Sequence, residues 1–495
     1  MPFDAMQKKS SSTTNTDAQT GDPNRDWTSV MRNLPREHGF EQLRIEGELP
    51  AGLQGTLYRN GAMQVAPFGD VYSHWFEGDG GVVAVRFGDG RAEGAAALVQ
   101  TDGLLEERAA GGLRYGWSAP LWSRISKAWT GKIKNAANTN VLPWQGRLFA
   151  LMEVGKPYEL DPDTLQTIGE TDLGGAVVGP FSAHPHRVDA LDTVFNIGVR
   201  YGVTSHLDFY AWHAQRPARR ISTVALRFPT MIHDFVATEN HLVALISPVK
   251  INVWRALAMM RPAHKTFAWR PDLGMEVVVV PLDDPANVTR FEADPFWVWH
   301  FGNGFSTDDG TIRFDLCRYD NFDSMQGVGD LIHAGNDATT RPTNPRGDYK
   351  GRYAQCRIDL SAKTMTTTDV GEVYGEFARV NPRVEGRAHR YVWMCQGDAG
   401  DFADERIIKV DSQTGDAIAS QSRPGCWPSE PVFVPRPGAT AEDDGWLLTL
   451  VYDPVIDTSH VAVLDAADPS REALARCHFD HHVPMTFHGN FLAAR

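Results

Sequence analysis

The stretch from residue 231 to residue 239 reads Met-Ile-His-Asp-Phe-Val-Ala-Thr-Glu, and it decides how the fold of the chain is understood. Its apolar and β-branched residues predict a strand with His233, Phe235 and Ala237 on one face. A histidine is unusual in such an apolar strand. Three more histidines lie in comparable apolar or aromatic surroundings, and these are His184, His300 and His488. Because the four residues are far apart in the chain, only a closed fold that returns to a common axis could bring them together.

Short strands that end in an aspartate and a polar turn recur on both sides of this stretch. Such strand ends occur at Leu160-Asp161, Leu282-Asp283, Ile358-Asp359, Val410-Asp411 and Leu464-Asp465. The last three are spaced by about 50 residues, the length of one four-stranded blade of a β-propeller. The earlier intervals are irregular. The spacing alone therefore leaves three all-β folds open: a propeller, a large sandwich, or two β domains.

The composition indicates a globular protein whose partner is not a nucleic acid. Of the 495 residues 42% are hydrophobic, and 14 Trp and 24 Phe provide ample material for a large core. The formal net charge of -14 argues against nucleic acid as a partner, because binding to phosphates requires a basic surface.

Cysteine usage and the N-terminus indicate the compartment. The five cysteines are widely spaced and form no CxxC pair, which is typical of a reduced cytosol. The chain has no apolar run of about 18 residues that could cross a bilayer, and its N-terminus lacks the apolar region of a secretory signal. Residues 1–26 are rich in Ser, Thr, Asn, Asp and Gln and are predicted to form a disordered leader. We therefore expect a cytoplasmic protein.

Two segments interrupt the strand pattern. In residues 117–134, apolar residues recur at near-helical spacing among Arg124, Lys127, Lys132 and Lys134. A basic amphipathic segment with Trp residues can lie at a membrane interface, but a helix that caps the core would have the same pattern. Residues 254–267 combine Trp and Met with basic residues and predict a long functional loop or lid.

The four histidines are candidate ligands of a metal ion, because imidazole is the commonest transition-metal ligand in proteins. Four neutral imidazoles would leave the charge of the ion uncompensated, so carboxylates are expected to accept hydrogen bonds from the other ring nitrogens. Three glutamates in apolar, strand-like surroundings could do this: Glu153, Glu376 and Glu430. The chain has 17 histidines and no HExxH motif, so spacing alone also allows four ordinary core histidines.

Several motifs, taken together and in order, resemble the carotenoid cleavage oxygenase family. This family consists of non-haem iron enzymes and includes apocarotenoid-cleaving, retinoid-forming and stilbene-cleaving members. The resemblance runs from about Leu43 to the C-terminus. The motifs are Tyr58-Arg59-Asn60-Gly61, His74-Trp75-Phe76-Glu77-Gly78-Asp79-Gly80, Ala137-Asn138-Thr139-Asn140-Val141, Phe181-Ser182-Ala183-His184-Pro185, Met231-Ile232-His233-Asp234-Phe235, Ser429-Glu430-Pro431-Val432-Phe433-Val434-Pro435-Arg436 and Phe487-His488-Gly489-Asn490-Phe491.

The resemblance implies a seven-bladed β-propeller, formed by residues 27–495 as one catalytic domain, with a helical and loop cap over an axial metal site. It implies one Fe(II) with four histidine ligands, which are His184, His233, His300 and His488. It also implies that Glu153, Glu376 and Glu430 each orient one ligand histidine, and that Thr139 lies beside an open iron position. His74, despite its motif, is not a ligand in this pattern.

The function implied is Fe(II)-dependent cleavage of a conjugated C=C bond of an apocarotenoid or carotenoid, giving two carbonyl products. O2 is the only co-substrate and no organic cofactor is required. In this interpretation residues 117–134 and 254–267 form an apolar rim at the mouth of a substrate tunnel and touch a membrane. The sequence leaves the oligomeric state open.

Three alternatives remain at this point. Stilbene-cleaving relatives usually carry a Tyr and a Lys that hold a phenol, and the corresponding positions here are Trp117 and Met152, which favours a polyene over a stilbene. A propeller without catalytic activity would hold ordinary core histidines at its axis and bind no metal. An isomerohydrolase would keep the metal site without net incorporation of O2.

Overall fold

The computed structural model describes residues 27–257, 260, 263–334, 351–398, 401–421 and 425–494. The predicted leader, residues 1–26, lies outside the described residues. The same applies to residues 258–259 and 261–262 of the second predicted rim segment.

The described residues form antiparallel sheets that are the blades of a seven-bladed propeller, and the predicted fold is confirmed. Blade 1 contains His38–Gln42, Gly55–Gln64, Asp79–Gly88, Arg91–Leu98 and Thr486–Ala493. Blade 2 contains Asn140–Trp144, Arg147–Leu151, Tyr158–Leu160 and Thr167–Glu170. Blade 3 contains His186–Val188, Thr193–Arg200, His206–His213 and Arg219–Ala225. Blade 4 contains Val236–Ala237, His241–Ile246, Met275–Pro281 and Thr289–Ala293.

Blades 5 and 6 share one long strand, Thr364–Arg379, which leaves the first sheet and enters the second. Blade 5 also contains Trp297–Ser306, Thr311–Tyr319 and Gly351–Asp359, and blade 6 contains Tyr391–Asp398, Asp401–Asp411 and Ala417–Ala419. Blade 7 contains Arg44–Gly47, Trp427–Pro428, Val432–Pro435, Gly445–Asp453, Thr458–Asp465 and Ala475–His478. A separate two-stranded ribbon pairs Val249–Ile251 with Phe267–Trp269.

The two ends of the described chain close the ring of blades. The C-terminal strand Thr486–Ala493 pairs with Gly55–Gln64 in blade 1, and the second strand of the chain, Arg44–Gly47, pairs with Ala475–His478 in blade 7. Blades 1 and 7 therefore each contain strands from both ends of the chain. Separating blade 1 from blade 7 would therefore break both of these backbone ladders.

The core lies between adjacent blades, where alternate strand residues of neighbouring sheets face each other. Between blades 1 and 7, for example, Leu57 and Val85 pack with Leu448 and Val463 in one buried cluster. Comparable clusters lie between blades 3 and 4 and between blades 4 and 5.

Helices are few and lie in the connections between strands. The α-helices are Asp102–Ala110, Leu121–Thr130, Val253–Leu257 and Ser324–Ala334. The 3-10 helices are Trp27–Val30, Trp75–Glu77, Asp189–Leu191, Ala263–Thr266, Pro271–Leu273 and Pro382–Val384. The helix Leu121–Thr130 ends at Gly131, whose φ of 64° is a left-handed conformation that favours glycine. This helix confirms the near-helical spacing within residues 117–134.

The prediction of a strand over residues 231–239 is wrong for most of that stretch. Only Val236–Ala237 pairs regularly, with Val243 and Leu242 of the next strand. The carboxylate of Asp234 accepts a hydrogen bond from the N–H of Phe235 at 2.7 Å, a local contact that competes with strand pairing. His233 consequently lies in irregular backbone just before the strand.

Candidate metal centre

Each of the seven blades places one polar residue at the same end of the propeller axis, on its strand nearest the axis or directly before that strand. From blade 1 to blade 7, these residues are His488, Thr139, His184, His233, His300, Glu376 and Glu430. Their side chains or backbones contact one another, which requires the strands that carry them to lie around one axis.

The backbone is irregular where the histidines lie. His184 and His233 precede the first strands of blades 3 and 4, whereas His300 and His488 lie where the strand register shifts. Such bulges redirect a side chain and are frequent next to functional sites. At the shift near His488 the two strands approach so closely that a Cβ atom at Gly61 would lie 2.7 Å from the carbonyl oxygen of Met485.

Two buried asparagines hold the segment that carries His184. The side-chain amide of Asn140 donates to the carbonyl oxygen of Ala183 at 2.7 Å, and that of Asn196 donates to Ser182 at 2.7 Å. The sequence analysis quoted Asn140 in a motif without giving it a role, and it missed Asn196. The signal that could have identified them is a polar residue between apolar neighbours within a strand, because a buried polar group needs a hydrogen-bond partner.

The four histidines are buried, and one ring nitrogen from each lies within 4.8 Å of the other three. The ring centroids of His184 and His233 are 4.2 Å apart, and those of His184 and His488 are 4.6 Å apart. The Nε2 atoms of His300 and His488 are separated by 3.2 Å. The structure thus brings together the four histidines named from the sequence.

The three glutamates named from the sequence each contact a different histidine of this group. The Nδ1 atom of His233 donates to Glu153 Oε2 at 3.0 Å. The Nδ1 atom of His300 donates to Glu376 Oε2 at 2.5 Å, and that of His488 donates to Glu430 Oε1 at 2.9 Å. Because an ionised carboxylate only accepts hydrogen bonds, each Nδ1 carries the proton and each Nε2 keeps its lone pair.

The surroundings fix two of these carboxylates firmly. The phenol of Tyr319 donates to Glu376 at 2.5 Å. Glu430 accepts the N–H of Gly489 at 2.8 Å and lies 3.4 Å from a guanidinium nitrogen of Arg379. Burial alone would raise the pKa of Glu430, but Arg379, His488 and Arg59 lower it to about 2. Glu430 therefore remains ionised although it is buried.

This group of residues fits a divalent transition-metal ion. The Nε2 atoms of His300 and His488 are 3.2 Å apart, so their lone pairs would repel each other unless a proton or a metal ion lies between them. The Nε2 atom of His184 is buried and has no hydrogen-bond partner, which is costly unless a metal occupies that position. Burial and the neighbouring imidazoles lower the pKa of His184 well below its usual value, and burial lowers the pKa of His488 to about 4. Neutral imidazole is the form that binds metals.

Thr139 lies beside His488 and lines the cavity described below. Its hydroxyl donates to Asn138 Oδ1 at 3.0 Å, and its carbonyl oxygen accepts the N–H of His488 at 3.2 Å. Asn138 is held in turn by two hydrogen bonds from its amide to the carbonyl oxygens of Phe76 and Gly78. His74, which was expected not to be a ligand, lies outside the four-histidine group and contacts the carbonyl oxygen of Met325.

A cavity of about 760 Å³ opens onto the four-histidine group. His233, His300 and His488 line it together with Thr139 and Glu153. The aromatic residues next to the histidines divide into two groups, one that lines the cavity and one that does not. The cavity-lining residues are Trp75, Phe76, Trp299 and Phe487, whereas Phe181, Phe235, Trp297 and Phe301 belong to the core.

The other end of the cavity is bordered by exposed apolar side chains. No residue of the helix Leu121–Thr130 is buried, so the alternative of a core-capping helix is wrong. Trp122 is 80% exposed, Trp129 is 92% exposed and Trp254 is 81% exposed. The turn of residues 201–203 also lines the cavity and was missed, although its Tyr and Val on either side of a Gly are a signal for an exposed apolar turn. We call residues 121–133, 201–203 and 253–256 the apolar rim.

One polar pair lies within the cavity near this rim. The Nζ atom of Lys127 donates to the phenol oxygen of Tyr115 at 2.9 Å and to Glu106 at 2.5 Å. Trp117 and Met152, which the sequence analysis assigned to the positions of a phenol-binding pair, also line the cavity. Among the described residues, no helix is both long enough and apolar enough to cross a membrane.

The chain is similar to known proteins along almost its whole length. The sequence model of the family described as retinal pigment epithelial membrane protein matches residues 31–493. The apocarotenoid-15,15'-oxygenase of Synechocystis sp. is 33% identical over 481 residues, which cover 94% of this chain and 96% of that protein. A lignostilbene-alpha,beta-dioxygenase isozyme III of Sphingomonas paucimobilis is 30% identical over 495 residues, which cover 94% and 96%. The crystal structure of cobalt-substituted Synechocystis apocarotenoid oxygenase superposes with a TM-score of 0.86 at 31% identity and covers 95% of this chain and 98% of that chain.

Proposed function

This chain belongs to the retinal pigment epithelial membrane protein family and is an oxygenase, and from that premise we propose that it uses Fe(II) and O2 to cleave one conjugated C=C bond of an apocarotenoid or carotenoid. The products are two carbonyl compounds, each of which receives one oxygen atom of O2, so no further reductant is needed. The observation that carries this proposal is the group of four buried imidazoles at the inner end of a cavity with aromatic walls.

His184, His233, His300 and His488 would hold the iron, and bound Fe(II) would supply the redox chemistry that activates O2 towards an electron-rich alkene. Glu153, Glu376 and Glu430 keep the protons on the Nδ1 atoms of their histidines and add negative charge around the centre. Thr139 restricts the space beside His488, which would limit where small molecules can approach the centre.

The aromatic walls determine how a substrate lies. Phe76, Trp299 and Phe487 line the cavity close to the histidines, and their faces are suited to stacking on a planar polyene. They also exclude water from the centre. Holding a long, rigid alkene in one position is what would select one double bond for cleavage.

The apolar rim supports a peripheral contact with a membrane. Polyenes partition into lipid, and exposed Trp residues among Lys and Arg are suited to the interface between lipid and water. A cavity mouth that touches the bilayer would let the substrate enter without crossing water.

Residues 27–495 form one catalytic domain in this proposal, because strands from both ends of the described chain close the ring.

The test is product analysis after incubation of the iron-loaded protein with an apocarotenal under isotopically labelled O2. Immediate reduction of the products to alcohols prevents exchange of their oxygen with water. Two shorter products, each with one labelled oxygen, are expected. Conversion without label would indicate an isomerohydrolase, and absence of both metal and conversion would indicate a non-catalytic binding protein.

A hydroxystilbene is the second candidate substrate, because Tyr115 and Lys127 form a polar pair in the cavity that could bind a phenol. Comparison of kcat/KM for an apocarotenal and a hydroxystilbene distinguishes these two candidate substrate classes. We expect a higher kcat/KM for the apocarotenal. If the stilbene is cleaved faster and Lys127→Met removes that advantage, the substrate assignment is wrong and the oxygenase assignment stands.

A further inference from the structure

Asp234 is a buried carboxylate that contacts three of the four segments that carry the metal-centre histidines. It follows His233 directly in the chain. Its Oδ2 atom accepts the N–H of Phe301 at 2.9 Å, and Phe301 follows His300. Its Oδ1 atom accepts the ring N–H of His186 at 2.8 Å, and His186 lies two residues after His184. One side chain therefore connects blades 3, 4 and 5 next to the metal centre.

His186 is held rigidly between two acidic side chains. Its Nε2 atom faces Asp234, and its Nδ1 atom faces Glu385 Oε1 at 3.1 Å. Both ring nitrogens therefore lie within hydrogen-bond distance of a carboxylate, which fixes the orientation of the ring. Asp234 thus has a fixed partner on the side of blade 3, and the position of its carboxylate is well defined.

These contacts replace strand pairing that the ligand segments lack. His233 precedes the two-residue strand Val236–Ala237, and His300 lies where the register of its strand shifts. Neither backbone is held by a regular ladder at that point. The carboxylate of Asp234 accepts the N–H groups of Phe235 and Phe301, the residues that follow in each segment.

We propose that Asp234 is a positioning residue that sets the distances between His184, His233 and His300 and thereby the affinity of the centre for its metal. The inference rests on the proposed metal centre but does not depend on which substrate is cleaved. Loss of an outer partner of a metal site typically lowers metal affinity or activity by about 10-fold to 100-fold. We expect a loss of metal affinity in this range for Asp234→Asn, which keeps the shape of the side chain.

The matched control is Asp208→Asn. Asp208 is also fully buried and accepts hydrogen bonds from Arg200 and Thr223, but it lies in the middle of blade 3 and is not part of the four-histidine group. This variant should lower the melting temperature and leave metal affinity unchanged. Metal affinity is measured by competition with a coloured chelator, using Co(II) so that its visible absorption also reports the ligand geometry.

Lower Co(II) affinity and an altered Co(II) spectrum in Asp234→Asn, with wild-type affinity in Asp208→Asn, would support the inference. Wild-type Co(II) affinity and a wild-type Co(II) spectrum in Asp234→Asn would overturn the inference. This holds even if the metal-free variant melts at a lower temperature, because Asp234 would then contribute only to stability. If Asp234→Asn does not fold, the same Co(II) titration is carried out on His186→Gln. A smaller loss of Co(II) affinity than that expected for Asp234→Asn would support the inference, and unchanged affinity would overturn it. Failure of the wild-type protein to bind any metal would instead refute the proposed function.

Discussion

His300 and His488, which are 188 residues apart in the chain, bring their Nε2 atoms to within 3.2 Å of each other. Each ring donates its other N–H to a carboxylate, so two lone pairs face each other in a buried site. A proton or a metal ion between the two nitrogens removes this repulsion. The pair therefore links the closure of the propeller to the candidate metal centre, because His488 lies on the C-terminal strand that closes blade 1.

Replacement of His233 by Ala should abolish activity and markedly lower the iron content, because one of four ligands is lost. The iron content of purified protein, measured by elemental analysis, checks this. His241→Ala is the control, since His241 lies in the same blade and contacts Ser306 rather than the other three imidazoles. Full iron occupancy in His233→Ala would contradict the assignment of four histidine ligands.

Each of the changes Glu153→Gln, Glu376→Gln and Glu430→Gln should lower metal affinity or activity by about 10-fold to 100-fold, a milder effect than loss of a ligand. We expect the largest effect for Glu430→Gln, because it would leave Arg59 and Arg379 near the centre without their shared carboxylate. Metal titration and steady-state kinetics of the three variants provide the measurement. Wild-type turnover in all three would refute their role in orienting the histidines.

His482 should make the fold less stable in mildly acidic solution. Burial, together with the nearby charge of Arg32, lowers the pKa of His482 from 6.5 to about 4. Between these values the unfolded chain binds a proton that the folded chain does not, so stability is fully present above pH 6.5 and falls as the pH drops towards 4. In His482→Gln, the melting temperature should fall less steeply across this range. An unchanged slope would contradict the prediction.

The variants Trp122→Glu and Trp129→Glu should bind liposomes more weakly and turn over lipid-borne substrate more slowly. Both side chains are exposed in the apolar rim, so the change removes a contact with lipid without disturbing the core. Val455→Glu is the matched control, since Val455 is exposed in a turn of blade 7 and outside the apolar rim. Liposome flotation and activity assays with and without vesicles provide the test, and equal behaviour of all variants would exclude a role of the rim in membrane contact.

The sequence predicted the β-rich class and the polar groups of the site from local signals. Strands that end at Asp359, Asp411 and Asp465 indicated a repeated unit, and the histidines and glutamates stood out because polar side chains are rarely placed among apolar ones. The motifs then identified the family by resemblance. The error at residues 231–239 arose because alternation alone does not reveal that Asp234 diverts the backbone into local hydrogen bonds.

The sequence by itself determined which residues are apolar, where strands end and which side chains can carry charge or bind a metal. Apart from the family resemblance, its residue patterns did not determine that His184, His233, His300 and His488 would meet, or that Asp234 would connect three of their segments. These relationships depend on the rotation accumulated over seven twisted sheets and on closure of the ring by strands from both ends of the described chain. Hydrophobic periodicity describes the faces of one strand at a time, whereas the distance between two residues on different blades is a property of the closed fold.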